Sequence, residues 1–236
     1  MNYCELYKEL IQDISPDAIA ERIICGASFC IVMSGGSAGI CRTQEENSRP
    51  LMIQRKYNGM PLKTLAESVM SWNFQEACIG AAAINAWYNA PKQLRVIGME
   101  IPEGLRCEDR TSDPFITLQR EVKGKNVVSV GHFPYIDKLF APYCNLTIIE
   151  KHYPEDGDYP EQASEFLLPL CDYAFISGYT LAQKSLPRML ELTRNAYTIL
   201  INNSVPLAPV LHRYGVNALA GFVIKDTELA ERIALG

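Results

Sequence analysis

Residues 126–134 read Asn-Val-Val-Ser-Val-Gly-His-Phe-Pro, and this stretch is the clearest indication of the fold class of the second half of the chain. Asn126 to Val130 is a short apolar run, typical of a buried strand in a parallel sheet. Gly131 permits a sharp turn, and Pro134 can begin a helix because the first turn of a helix does not need its missing N–H. The stretch therefore predicts a strand, a tight loop and a helix, which is the opening unit of an α/β sheet.

Four more strand-like runs follow at intervals that leave room for helices between them. They are Leu146 to Glu150, Tyr173 to Ser177, Thr198 to Asn202 and Leu219 to Ile224. Buried strands that alternate with helical spacers indicate a doubly wound parallel sheet with right-handed crossovers. We therefore expect a Rossmann-like domain over residues 122–236.

The first half, residues 1–121, has a different pattern and is expected to form an α+β lobe. Amphipathic spacing predicts a helix over residues 3–12, and two β-rich runs follow at Ile19 to Cys25 and Ser28 to Met33. The glycine-rich segment from Ser34 to Gly39 is typical of a turn. The pattern predicts a β-meander followed by helices.

Three helices are predicted in the rest of this half. Pro61 is well placed to begin a helix that runs to about Met70, and Asp113-Pro114 begins a short connecting helix. Between them, Phe74 to about Tyr88 is a helix rich in small residues. Such a helix can approach a neighbouring backbone closely.

The composition indicates an ordinary globular protein without a nucleic-acid partner. Of the 236 residues, 48% are hydrophobic and 21% are charged, and the formal net charge is -5, whereas a phosphate-binding surface needs Lys and Arg. The amphipathic N-terminus lacks a signal-type apolar run, and no stretch approaches the ~20 apolar residues that span a bilayer. We expect a cytoplasmic protein without a membrane partner, and a homo-oligomer remains open.

The eight cysteines are expected to be reduced and mostly buried thiols. None of them forms a Cys-x-x-Cys motif, so any bound metal is expected to have oxygen and imidazole ligands. Cys25 and Cys30 are a close pair, and their spacing puts them on opposite faces if the segment is one strand.

Polar residues follow the predicted strands of the second half, at the edge where α/β proteins bind ligands. His132 follows the first strand, and its imidazole titrates near neutral pH, which suits an acid/base role or a ligand contact. Glu150 lies nineteen residues after Gly131, where a Rossmann fold usually places the carboxylate that accepts a ribose hydroxyl. The other candidates for ligand binding at this edge are Gly131, Asp158 of an acidic loop, Ser177, Gly178, Asn202 and Ser204.

Two of these candidates have alternative explanations. Only the first glycine of a Gly-x-Gly-x-x-Gly motif is present, at Gly131, which is weak evidence for a dinucleotide. The acidic loop from Lys151 to Pro160 is either solvated or holds a cation or a basic substrate.

The helix over residues 74–88 supplies three further candidates. Asn73 and Glu76 have the spacing of a capping box, so a capping role competes with a role in the site. Asn85 lies inside the helix, where no capping role explains it. We assign Asn73 and Asn85 to ligand binding and Glu76, with His132, to catalysis.

Ten short motifs are spread along nearly the whole chain. They are Ser71 to Ala77, Ala83 to Ala86, Glu108 to Arg110, Asp113 to Phe115, Val130 to Pro134, Gly157 to Pro160, Ala163 to Phe166, Cys171 to Tyr173, Leu186 to Arg188 and Pro206 to Pro209. Together they resemble the family named putative heavy-metal chelation proteins, formerly domain of unknown function 364, with an N-terminal DUF4213-type domain. The resemblance adds Phe133 and Pro206 to the candidate ligand contacts, and Val205 stands where the family pattern has a threonine.

The resemblance implies a lobe like the N-terminal domain of enolase, a Rossmann-like domain and a cleft between them. It also implies a part in handling heavy metals or a metal-chelating small molecule, with a metal ion as one candidate cofactor. The leading interpretation is a protein that clamps a small polar ligand or a metal chelate in this cleft. The alternatives are an enzyme that uses NAD or S-adenosylmethionine, with Glu150 on the ribose, and a non-catalytic accessory protein of metal transport.

Overall fold

The computed structural model describes residues 3–43, 49–51, 57–99, 101, 112–152 and 154–235. The chain has a mixed α/β fold with two separate sheets, one antiparallel and one parallel. This confirms the predicted fold class. The motif from Glu108 to Arg110 lies outside the described residues. Among the described residues, no helix is long and apolar enough to cross a membrane.

The first half contains a three-stranded antiparallel sheet in the order β1-β2-β3. Its strands are β1 (Arg22–Cys25), β2 (Phe29–Ser34) and β3 (Ser37–Arg42). The prediction of a turn from Ser34 to Gly39 was therefore only partly correct. The turn is confined to Gly35 and Gly36, whose φ angles of 56° and 73° favour glycine, and the chain then returns as a strand.

The helices of the first half agree closely with the predicted bounds, except that the one at Pro91–Val96 was not predicted. They are α1 (Tyr3–Gln12), α2 (Leu62–Ala66) with a 3₁₀ turn (Glu67–Met70), α3 (Phe74–Tyr88), α4 (Pro91–Val96) and α5 (Pro114–Thr117). The small residues of α3 let β3 approach it closely, as expected. A Cβ added at Gly39 of β3 would fall on the backbone of Ala82 and Ala86.

The second half contains a five-stranded parallel sheet in the order β5-β4-β6-β7-β8. Its strands are β4 (Asn126–Val130), β5 (Asn145–Ile149), β6 (Tyr173–Ser177), β7 (Tyr197–Ile201) and β8 (Ala218–Ala220). The last strand is shorter than predicted because its partner ends at Ile201, which pairs with Ala220. The chain runs from β4 outward to β5 and then back across to β6. The carboxyl ends of β4 and β6 therefore form a topological switch point, where open α/β sheets bind ligands.

Short α-helices follow four of the parallel strands. They are α6 (Ile136–Phe140) after β4, α7 (Ser164–Leu167) after β5, α8 (Leu186–Leu192) after β6 and α9 (Thr227–Leu235) after β8. The last of these returns to the antiparallel sheet, where Arg22 of β1 forms an ion pair with Glu231. Ile224 and Ala230 pack there against Ile31 of β2.

One buried cluster of apolar residues extends through both halves of the chain. It contains Leu10 of α1 and Cys30 of β2 together with Val128 of β4 and Leu200 of β7. The proposed boundary near residue 121 therefore runs through a continuous core. Because the two sheets share this core, the space between their edges has a defined shape.

Candidate functional site

A cavity of about 590 Å³ opens at the switch point of the parallel sheet and extends to the antiparallel sheet. The parallel sheet contributes the loops after β4, β5, β6 and β7. The antiparallel sheet contributes the turn between β1 and β2 and the end of β3. Of the residues expected at the site, the following line the cavity: Gly131, His132, Phe133, Glu150, Ser177 and Asn202.

His132 forms the centre of a carboxylate network at the edge of this cavity. Its Nδ1 lies 2.9 Å from Oδ2 of Asp158, and its Nε2 lies 3.0 Å from Oδ2 of Asp137. A third carboxylate, that of Glu155, lies 3.8 Å from Nε2. The His132 side chain is 12% exposed and that of Asp158 only 4%. Both ring nitrogens therefore face acceptors.

The protonation of His132 follows from this environment. Burial alone lowers the pKa of His132, but the hydrogen bond to Asp158 and the three surrounding carboxylate charges outweigh burial and raise that pKa above 6.5. The ring is thus favoured as an imidazolium that donates to Asp158 and Asp137. While it does so, His132 has no lone pair for a metal ion or for proton abstraction.

Glu150 joins the loops that follow β4 and β5. Its Oε2 accepts from the backbone N–H of His132 at 2.9 Å, and its Oε1 accepts from the backbone N–H of His152 at 2.7 Å. The carboxylate therefore fixes the position of His132 relative to β5. Glu150 lies where the sequence predicted it, but its oxygens are engaged by the chain itself.

A second polar group joins the ends of β6 and β7. Asn202, whose φ is 110°, donates from Nδ2 to Oγ of Ser177 at 2.6 Å and accepts from the backbone N–H of Ser204 at 2.9 Å. Ser204 is fully buried, and its Oγ accepts from the backbone N–H of Arg42 in β3 at 3.1 Å. Asn202 and Ser177 therefore reach the cavity, whereas Ser204 joins the two sheets behind it.

Gly178 and Pro206 are buried behind the cavity wall rather than in it. A Cβ at Gly178 would collide with Val205, so glycine is required there by packing. Val205, where the resemblance led us to expect a threonine, is itself fully buried. These positions shape the wall from behind.

The polar residues of α3 lie away from the cavity. Asn73 caps the helix by accepting from the backbone N–H of Glu76 at 3.1 Å. Glu76 is fully buried and accepts a hydrogen bond from Ser71 at 2.5 Å, and Asn85 donates to the carbonyl of Ile40 at 2.7 Å. The Oδ1 atom of Asn85 is buried without a hydrogen-bond partner. The structure thus places Asn73, Glu76 and Asn85 in the packing of α3 against its neighbours.

Several residues of the cavity wall were not predicted from the sequence. From the first half they are Ala27, Ser28, Phe29, Arg42 and Thr43, and from the second half they include Lys151, His152, Tyr179 and Gln183. In the first half, only the fold could reveal them, because they are ordinary residues of a hairpin turn and a strand end. Lys151 and His152 lie in the acidic loop that the sequence did single out.

His152 also lines the cavity, and its ring is held by Gln183. The Nε2 atoms of Gln183 and His152 are 2.7 Å apart. Because an amide nitrogen only donates, the imidazole accepts there, and its proton is then on Nδ1. The phenol of Tyr179 donates to the carbonyl of Thr43 at 3.3 Å, which adds another tie between the sheets.

No protein-derived metal centre is evident in the described part of the chain. Within those ranges, no group of three or more His, Cys, Asp or Glu side chains is arranged to hold a metal ion. The carboxylates around His132 contact its ring instead, Asp158 at Nδ1 and Asp137 at Nε2.

Comparisons with known proteins found two family models and solved structures that match the chain. The DUF364 model, described as "Putative heavy-metal chelation", matches residues 113–235, and the DUF4213 model, with the same description, matches residues 7–88. A DUF364-family protein of unknown function from Desulfitobacterium hafniense DCB-2 is 42% identical, with a TM-score of 0.89, over 98% of this chain and 90% of that chain.

A second solved structure resembles the chain in fold alone. It is a DUF364-family protein of unknown function from Pyrococcus horikoshii, 16% identical, with a TM-score of 0.77, over 100% of this chain and 94% of that chain. None of the curated proteins matches the chain.

Proposed function

The chain belongs to the DUF364 family, and we propose that it binds a small anionic metal chelate in the cavity between its two sheets. The observation that carries this proposal is the cavity itself. It lies at the switch point of a parallel sheet, and residues of both sheets line it. We propose binding, and the geometry does not require turnover.

The size and lining of the cavity suit a small organic molecule. Its volume of about 590 Å³ lies within the range of roughly 300–1,000 Å³ that is usual for small-molecule sites. Phe29, Phe133 and Met189 supply apolar wall, while Ser177 and Asn202 supply polar groups. Small-molecule sites combine apolar side chains that bury the ligand with fixed polar groups that orient it, and this cavity has both.

Basic side chains reach the cavity from both sheets. Arg42 comes from the end of β3, and Lys151 comes from the loop after β5. The Nζ atom of Lys151 lies 3.4 Å from a carboxylate oxygen of Glu161, and both side chains are about one third exposed. Because Glu150 is committed to two backbone N–H groups, the basic residues favour a ligand with carboxylate groups.

A resident metal ion held by protein side chains fits the site poorly. Glu150 accepts from the backbone of His132 and His152, and Oδ2 of Asp158 accepts from the His132 ring and from the backbone N–H of Glu155. Bare-ion binding would have to break these bonds. A metal that arrives with its own organic ligands would leave these hydrogen bonds intact. For this reason we propose that the chelate is the cargo or substrate.

Calorimetric titration tests the proposal with defined probes. The titrants are Co²⁺ alone, the chelators citrate, histidine and nitrilotriacetate alone, and the three Co²⁺ complexes. We expect at least one complex to bind at least tenfold more tightly than either of its components, which corresponds to about 1.4 kcal/mol. Lys151→Gln should weaken that binding, whereas Lys123→Gln, outside the cavity, should not.

A cavity-filling variant tests whether the chelate binds in this cavity. Ala27 is exposed on the turn that lines the cavity, so Ala27→Trp should block the space without disturbing the core. Ala141→Trp, on the surface after α6, is the matched control. Equal binding by Ala27→Trp, equally tight binding of free Co²⁺, or no binding of any complex would each overturn the proposal.

Thermal melting of the wild type and of a Glu150 variant separates the chelate from the nucleotide alternative. If NAD or S-adenosylmethionine at millimolar concentration raises the melting temperature, and Glu150→Gln abolishes the increase, a nucleotide is the better ligand. The two hydrogen bonds that Glu150 accepts from the backbone favour the chelate.

A further inference from the structure

Cys25 and Cys30 lie opposite each other on adjacent strands. The sequence allowed them opposite faces of one strand, but the chain turns between them, and Cys25 of β1 pairs with Cys30 of β2 in the antiparallel register. Directly opposite residues point to the same side of a sheet. The two thiols are therefore neighbours.

The hydrogen-bond pattern places them in the closer kind of pair. The backbone N–H of Gly26 donates to the carbonyl of Phe29 at 2.9 Å, so the pair just before the turn is hydrogen-bonded. Because such pairs alternate, Cys25 and Cys30 form a non-hydrogen-bonded pair, whose Cα atoms lie about 4.5 Å apart. This separation falls within the range that a disulfide requires, roughly 4.4–6.8 Å.

The two thiols differ in exposure and in acidity. Cys25 is exposed on the edge strand, while Cys30 is fully buried. A hydrogen bond from Cys30 lowers the pKa of Cys25, although burial opposes this effect. The same hydrogen bond, together with burial, raises the pKa of Cys30. An exposed, more acidic thiol beside a buried partner is the arrangement of a nucleophilic and a resolving cysteine.

The pair also encloses part of the cavity wall. Between Cys25 and Cys30 lies the turn whose residues Ala27, Ser28 and Phe29 line the cavity. The hydroxyl of Thr43, another wall residue, donates to the carbonyl of Gly26 at 3.0 Å and lies 3.8 Å from the Cys30 sulfur. A covalent bond between the two cysteines would fix this turn at its base.

We propose that Cys25 and Cys30 are a reversible redox pair that closes to a disulfide at the base of the turn lining the cavity. The oxidant is a small disulfide such as oxidised glutathione. The Cys25 thiolate attacks one of its sulfurs, the S–S bond breaks, and one small thiol leaves. The Cys30 thiol loses its proton to solvent and attacks the Cys25 sulfur, which expels the second small thiol. Overall the protein loses two protons and two electrons, and the small disulfide takes up the same number to become two thiols.

Alkylation and peptide mass spectrometry of the full chain test this inference. After treatment with oxidised glutathione, we expect Cys25 and Cys30 to resist iodoacetamide and to appear in one linked peptide that lacks two hydrogens. A small dithiol should restore both thiols. In Cys30→Ser, Cys25 should instead retain glutathione, because no resolving thiol is left.

Cys4 is the internal control, since it is exposed and lies on helix α1 rather than in a strand pair. Cys4 should carry glutathione after the same treatment rather than form an internal link. If wild-type Cys25 also retains glutathione, or if Cys30 remains open to alkylation in unfolding buffer after oxidation, the pair does not close and the inference is wrong. This test does not depend on the cavity ligand.

Discussion

His132 occupies the predicted place after β4, and its contacts there could not be predicted from the sequence. The sequence placed it after β4, and the structure puts it on the cavity wall. Both its ring nitrogens contact carboxylates, and the ring compensates the charge of the buried Asp158. Removing the ring would leave that carboxylate without its cationic partner, which typically costs about 1–3 kcal/mol.

The stability conferred by His132 should depend on pH. Because the folded-state pKa is raised above the unfolded value near 6.5, its stabilisation is complete below that value and is lost as the pH rises through the folded pKa. Urea unfolding of wild type and His132→Gln should therefore differ more in free energy at pH 6 than at pH 9. Asp158→Asn should show the same trend, since it removes the main partner. A difference that stays constant between pH 6 and pH 9 would show that the ring is not held as an imidazolium.

At this scale the sequence predicted where polar groups lie but not how they are used. The positions of His132, Glu150 and Asn202 follow from the rule that strands of a parallel sheet end at one edge. Their bonds depend on partners distant in sequence, such as Asp158 for His132. Glu76 and Asn85 lie buried on α3 away from the cavity, and a buried polar residue on a helix looks the same in sequence whether it packs or binds.

Single elements could be predicted closely wherever the local pattern was strong. The helices α1 and α3 and the strands β4 and β6 have the predicted bounds. The strand β3 was missed because its glycines resemble a turn. In the structure, Gly39 is needed because β3 crosses α3 at backbone contact, and no local signal distinguishes such a glycine from a turn glycine.

The close approach of β3 to α3 predicts a large loss of stability when a side chain is added at Gly39. Gly39→Ala should destabilise the protein by about 3 kcal/mol or more, because the added methyl group meets the backbone of α3 rather than a flexible side chain. The control is Gly98→Ala, where a Cβ meets nothing and only the φ of 78° opposes it, at about 1–2 kcal/mol. Denaturant melts compare the two variants. Equal losses would mean that β3 can move away from α3 at little cost.

At the scale of the whole molecule, the two sheets behave as parts of one body. Asn89, just after α3, is buried, and its amide bonds to the backbone of Val205, Leu207 and Phe222 in the second half. The sequence did not predict this contact, because an asparagine after a helix is expected to be a local cap. Such ties hold the hairpin turn over the switch point and so create the cavity.

Anomalous X-ray scattering at the cobalt edge directly tests whether a metal chelate binds in the cavity between the two sheets. Crystals of the protein are soaked with the Co²⁺ complex that binds best in solution. We expect one cobalt peak inside the cavity, with density for the chelator around the metal and Arg42 and Lys151 facing it. Cobalt coordinated by protein side chains without the chelator, or a complex bound outside the cavity, would show that the cavity does not bind a metal chelate.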